Sequence, residues 1–255
     1  MDIFRKACAF IFVIYAHGVV IQVNSEKLSQ RVSGLSLIER HLTESLAEIV
    51  NSYAGSKFRN SNVSKATFFD ECLKLKLSDS SEQLLAERCK LSFHRDMRSS
   101  IEYGLDLAFG WLSEDLILKA LQRKGISVDL AGEDRYREFL FPNEIGTKSD
   151  FCLSINGITR PLEIVFSWND YWKNTDRWDL RDSKYRSLVR PEREALCLGI
   201  ELPSLYGFLI DMKSLKNSFT KRSNPAWGNK TAYTLIGMRE KLKPINDILK
   251  EINQI

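Results

Sequence analysis

Apolar residues change their spacing several times along this chain, and each change marks an element. From Ser25 to Val50 they recur at helical spacing, at Leu28, Val32, Leu35, Leu37, Ile38, Leu42, Leu46, Ile49 and Val50. This pattern predicts two helices, broken near Ser33-Gly34. The polar stretch Asn51 to Ser64 reads as a loop, and a second helical pair is expected over Thr67 to Leu77 and Ser81 to Phe93. The most regular helix runs from Ile101 to Lys124. There Leu105, Ala108, Phe109, Leu112, Leu116 and Leu121 cover one broad face, and Gly125 stands where a left-handed residue ends a helix.

Beyond Gly125 the spacing shortens. Ile126 to Leu130 and Tyr136 to Phe141 predict a first strand or strand pair around the turn Gly132-Glu133-Asp134-Arg135. Asp150 to Ile155 alternates polar and apolar, Asn156-Gly157 is a strong hairpin signal, and Leu162 to Phe166 is a second apolar run. Asn169-Asp170 then reads as the N-cap of a helix reaching about Val189, stopped by Pro191. On that helix Lys173, Arg177, Arg181 and Lys184 would share one face, with Trp178, Tyr185, Leu188 and Val189 on the other. Ala195 to Ile200 and Leu205 to Met212 suit closing strands, and Leu242 to Ile252 a last helix. The expected organisation is a mainly helical part over 1–100, an α/β core over 101–212 and a basic, aromatic segment with a final helix over 213–255.

Composition narrows the picture only a little. The 255 residues carry 37 Lys and Arg against 33 Asp and Glu, a net charge of +4 that permits nucleic-acid binding without demanding it. The five cysteines, Cys8, Cys72, Cys89, Cys152 and Cys197, form no Cys-x-x-Cys pair and signal neither a zinc site nor a complete disulfide framework. They read as reduced thiols of a cytoplasmic protein. Arg5-Lys6 followed by the apolar run Ala7 to Val23 resembles a secretory signal, which keeps an exported protein as an alternative. His17-Gly18 interrupts that run, and it is short for a membrane span of about 20 residues. No dinucleotide fingerprint, phosphate-binding loop or nucleophile elbow is present.

The chemistry concentrates in the hairpin. Asp150 opens its first strand, and Glu163 stands inside the second among Leu162, Ile164, Val165 and Phe166. A charge there costs several kcal/mol unless it is paired or binds a cation. Two hard oxygen ligands on rigid strands, completed by water and phosphate, are what Mg²⁺ accepts from a protein.

These residues resemble the PD-(D/E)xK nuclease superfamily over roughly residues 105 to 212. Ser149-Asp150 stands where the family has Pro-Asp, and Glu163-Ile164-Val165 where it has (Asp/Glu)-x-Lys. The resemblance implies an α/β, restriction-endonuclease-like core of helix, three-stranded meander, helix and strand, with Mg²⁺ held by Asp150 and Glu163. Val165 occupies the lysine's usual place, and some relatives supply that lysine from the following helix. Lys184 is then the first candidate, Lys173 the second and Lys148 the third. The helix before the meander often donates a further acid in this family, and Glu114 matches by position; an exposed helix glutamate beside Asp115 is the other reading. Chain length and the helical N-terminal part look most like a type II restriction endonuclease, which implies double-stranded DNA as substrate and a homodimer on a palindromic site.

The cations, amides and aromatics after residue 212 add a candidate DNA-binding set: Lys221, Arg222, Asn224, Trp227, Asn229 and Lys230, joined by Arg177 and Arg181. A solvated loop is the alternative. His94, Arg95 and Arg98 form a small basic cluster with no partner at metal-ligand spacing. Two rivals to the nuclease stand beside it, a nuclease-fold DNA-binding module without catalysis and the exported interaction protein.

Overall fold

The computed structural model describes residues 25–43, 100–135, 146, 148–155, 157–190 and 192–254. They divide between two units: one holds the chain to Leu116 with Tyr136–Ile145, the other Ile117–Arg135 with Gly146–Ile255. Several expected features lie outside the described residues: the apolar run over 7–23, the loop over 51–64, the helix pair over 67–93, the cluster at His94, Arg95 and Arg98, and the strand over 136–141. Asn156 of the hairpin turn lies outside them too. Among the described residues no helix is long and apolar enough to cross a membrane.

In the first unit, helix α1 (Ser25–Leu42) runs unbroken through Ser33-Gly34, which corrects the expected break. A helix tolerates an interior glycine at a cost of about 1 kcal/mol, and the buried stripe Leu35, Ile38, Leu42 follows directly after it. Arg31 of α1 forms an ion pair with Asp106 of helix α2 (Ser100–Arg123). The second unit begins within α2, where Ile117, Ala120 and Leu121 are buried. Gly125 follows at φ 77° and ends the helix as expected.

The second unit is built on a six-stranded mixed sheet. Strands β1 (Ser127–Leu130), β2 (Phe151–Ile155) and β3 (Ile158–Ser167) form an antiparallel meander. The chain then crosses over and returns as β5 (Leu196–Glu201), parallel to β3. Strand β6 (Tyr206–Asp211) pairs antiparallel with β5, and a two-residue strand, β9 (Lys243–Pro244), closes the edge in the order β1-β2-β3-β5-β6-β9. All six residues of β5 are buried, as expected of a strand covered on both faces. A Cβ on Gly207 would stand 2.2 Å from the Gly199 carbonyl oxygen, so glycine is required there for the two strands to meet. The final helix, α5 (Ile245–Ile252), buries Ile245, Ile248, Leu249 and Ile252.

The crossover corrects the helix expected from Asn169 to Val189. It consists of a short helix α3 (Tyr171–Thr175), a strand β4 (Arg177–Arg181) and a helix α4 (Asp182–Leu188). Trp178 and Leu180 are both buried in one core, and residues two apart share a face only at a period of two. The four-residue spacing of Lys173, Arg177 and Arg181 is therefore a coincidence within a sequence that alternates, Arg-Trp-Asp-Leu-Arg. Asp176 breaks the first helix with a left-handed backbone, φ 56°. Asp170 also differs from expectation: it adopts φ 49° and makes no side-chain cap. The amide of Tyr171 donates instead to Ser167 Oγ (3.0 Å), and that of Lys173 to Glu201 Oε1 (2.9 Å). Burial raises the pKa of Glu201, and the backbone amides of Lys173 and Trp172 oppose that rise.

The segment after residue 212 is not a loop. Strands β7 (Thr220–Asn224) and β8 (Lys230–Ile236), joined through a 3-10 turn at Pro225–Trp227, pair with β4 as a second sheet in the order β4-β8-β7. One face of this small sheet packs through Trp178, Leu180 and Leu235 onto Phe208, Ile210 and Met212 of the main sheet region. Trp178 stands at its centre, with ring centroids 5.0 Å from Phe208 and 5.8 Å from Phe219. Trp178→Ala should cost about 3–5 kcal/mol of unfolding free energy in a urea titration. A loss under about 1 kcal/mol would contradict this packing.

Candidate active site

The meander places the two acids side by side. The β2–β3 ladder pairs Phe151 with Leu162, so the next step along it sets Asp150 level with Glu163. The Ile164 amide donates to Asp150 Oδ2 at 2.7 Å, which orients that carboxylate toward β3. Glu163 is 4 % exposed and lies level with Cys197 of β5 on its other side. Asp150 immediately precedes β2, and Glu163 lies within β3.

The cation comes from α4. The Lys184 ammonium forms an ion pair with Glu163 Oε1. The helix is held in position by its neighbours: the Tyr185 ring stacks on Tyr233 at 3.8 Å, and the Tyr185 hydroxyl donates to the Lys216 carbonyl at 2.9 Å. Its own Ser187 and Leu188 are buried. Burial alone would lower the Lys184 pKa, but Glu163 first and Asp150 after it outweigh that effect and hold it above the ordinary lysine range. At neutral pH Lys184 is therefore a fixed positive charge serving both carboxylates. Cys197, which the sequence did not single out, lies in the same electrostatic neighbourhood. Its burial, followed by the Glu163 charge, pushes the thiol well up, so it is a neutral, unreactive wall of the site.

Among the described residues no group of three or more His, Cys, Asp or Glu is arranged to hold a metal. The two carboxylates, Glu163 already paired with Lys184 and Asp150 level with it, are nevertheless a donor set that Mg²⁺ could use. That ion commonly takes one or two protein carboxylates and fills its shell with water and phosphate.

The other candidates lie on other segments of the chain. Lys173 is exposed on α3, where its amide meets Glu201, four positions beyond Cys197 on β5 and so roughly 13 Å along the strand. Lys148 is exposed just before Asp150. Glu114 is half-buried on the part of α2 that belongs to the first unit.

The eight candidate DNA-binding residues gather on the small sheet, though not as independent cations. Asp179, one of the acids interleaved with the cations of this segment, is the hub. It accepts two bonds from Arg222 Nη2 (2.7 and 2.9 Å), one from Thr234 Oγ1 (2.6 Å) and one from the Tyr171 hydroxyl (3.1 Å). Arg177 Nε donates to that same hydroxyl at 2.8 Å. Arg181 lies over the Trp227 ring, 5.5 Å from its centroid. Asn224 is buried, and Asn229, at φ 59°, serves the β7–β8 turn by donating to the Asn224 carbonyl. Lys221 pairs with Tyr233 and so projects to the opposite face from Arg222, while Lys230 shares the Arg222 face. Strand parity would have separated Lys221 from Arg222 had β7 been read as a strand.

The Lys184 charge makes a stability prediction with a definite sign. Its folded pKa lies above the ordinary 10.5, so the ion pair's contribution is complete below pH 10.5 and is lost as pH rises through the raised value. The difference in unfolding free energy between the native chain and Lys184→Met should stay level from pH 7 to the ordinary value and then shrink. A difference unchanged well beyond that pH would contradict the pairing.

Compared with protein-family models, curated proteins and solved structures, the chain matches none.

Proposed function

We propose that this protein is a Mg²⁺-dependent, site-specific endonuclease that hydrolyses phosphodiester bonds of double-stranded DNA, built on a PD-(D/E)xK core whose lysine is supplied by α4. One observation carries the reading: Lys184, arriving from another element, pairs with the buried Glu163 beside Asp150. Val165 leaves the usual lysine position empty of charge, and the crossover fills that role from the other side. The order of elements supports it as well, since a helix, an antiparallel meander, a crossover and a strand parallel to β3 are what the resemblance implies.

In this reading Asp150 and Glu163 hold Mg²⁺, which when bound supplies Lewis-acid stabilisation of the phosphoryl oxygens and an acidified water. The remaining work belongs to the chain. The Ile164 amide fixes the Asp150 carboxylate, and the strands keep the two acids at a set separation. Lys184 serves as a hydrogen-bonding cation for the phosphate's developing negative charge. Its raised pKa rules out a role as general base while it is paired. Type II behaviour, with a homodimer acting on a palindromic site, belongs to the same proposal, because two-fold symmetry in the protein then matches that of the site.

The test is digestion of long duplex DNA of varied sequence with purified protein in Mg²⁺ and in EDTA. Discrete bands that require Mg²⁺ are expected. Glu163→Ala should abolish them, and Lys184→Ala, checked for folding by its thermal melt, should slow cleavage on the order of 10²–10³-fold. Intact DNA at every Mg²⁺ concentration, with duplex binding retained, would establish the non-catalytic module instead.

A further inference from the structure

The outer face of the small sheet has a composition that the active site does not use. Paired residues of an antiparallel ladder project to the same side, so Arg181, Ala232 and Arg222 share one face with Asp179, Thr234 and Thr220, and Lys230 shares it with Asn224. The opposite face is buried through Trp178, Leu180 and Leu235; on this face Ala232, Thr234 and Asn224 are covered too, while Arg181 and Lys230 are exposed and Arg177 and Arg222 partly exposed. The outer face therefore carries four cations, Arg177, Arg181, Arg222 and Lys230, against a single acid, Asp179, whose side chain is 4 % exposed.

That acid acts as an organiser more than a neutraliser. It holds the Arg222 guanidinium by two hydrogen bonds, and through the Tyr171 hydroxyl it positions Arg177. Trp227 holds Arg181 in the same way from beneath its ring. Guanidinium groups fixed before binding lose little freedom when they take a phosphate, and Arg presents a fork suited to phosphate oxygens. The face also leads directly to the site: Arg181 ends β4, Asp182 begins α4, and Lys184 follows three residues on, no more than about 10 Å from Arg181 between Cα atoms.

We infer that this outer sheet face is the surface on which duplex DNA docks, with Arg181, Arg222, Arg177 and Lys230 taking backbone phosphates while Lys184 serves the bond to be cut. The inference rests on the duplex-DNA reading above and deepens it by assigning the contact to a strand face and not to a helix. It also separates the candidates: Arg181 and Lys230 are contacts, whereas Asn224 and Asn229 shape the turn that supports them.

The experiment measures binding of the full chain to a fluorescein-labelled duplex in EDTA across a series of NaCl concentrations. The double variant Arg181→Ala/Lys230→Ala is compared with the native chain and with Lys216→Ala/Lys250→Ala, which removes the same charge elsewhere. Each neutralised phosphate steepens the dependence of affinity on salt by about one unit on a double-logarithmic plot. The face variant should bind at least about tenfold more weakly at low salt, with a slope shallower by about two. Arg181→Lys/Lys230→Arg should retain the native slope, and unchanged melting temperatures exclude loss of fold. Equal affinity and slope for the two double variants would overturn the inference, as would absence of duplex binding by the native chain or tighter binding to single-stranded RNA of equal length. Duplex binding with the expected slope change but no cleavage in Mg²⁺ would remove the catalytic reading and leave this surface standing.

Discussion

A carboxylate buried inside a β-strand requires a cation, and the second unit is arranged around meeting that requirement at Glu163. Leu162 and Ile164 bury the strand on both sides of it, β2 brings Asp150 level with it, and a second negative charge then deepens the need. Lys184 answers both charges from a helix that is remote in the local sequence. Losing Lys184 would leave an uncompensated buried charge on Glu163, which is far more costly than never having buried the pair. The partial exposure of Lys184 keeps this ion pair accessible to water, and so to a substrate phosphate and its counterion.

The crossover between β3 and β5 explains how the lysine arrives. A single long helix over the same residues would spread Lys173, Arg177, Arg181 and Lys184 along one face. Left-handed residues at Asp170 and Asp176 divide the segment, and β4 carries the chain away to begin a second sheet before α4 returns to the acids. The result separates two tasks. Lys184 pairs with Glu163, while Arg177 and Arg181 of β4 lie on the other sheet, on the face that carries Asp179. The Trp178, Phe208 and Phe219 cluster holds the two sheets together, so the position of α4 depends on that core.

Much of this was legible in the sequence, and the rest was hidden for identifiable reasons. The hairpin, the acids at Asp150 and Glu163 and the end of α2 at Gly125 were readable because local chemistry specifies them: alternation, a charge among aliphatics, and a glycine at positive φ. Lys184 was named as the leading candidate, though from a helix with the wrong extent. The Arg177–Arg181 strand was missed because spacings of four between cations mimic a helical face, while the true signal was the alternation of Trp178 and Leu180 with their neighbours. Cys197 beside Glu163 depends on the register of two parallel strands joined by a long crossover, which no local pattern encodes. The partners of Asp179 and Glu201 were not legible for a related reason, since they come from segments 28 to 55 residues away.

The most direct measurement is titration of Mn²⁺ into the full chain, followed by electron paramagnetic resonance, alone and with a phosphorothioate duplex. The account predicts saturable binding that Mg²⁺ displaces and that both Asp150→Asn and Glu163→Gln abolish. Binding absent under both conditions, or unchanged in the two variants, would contradict a metal site at these carboxylates.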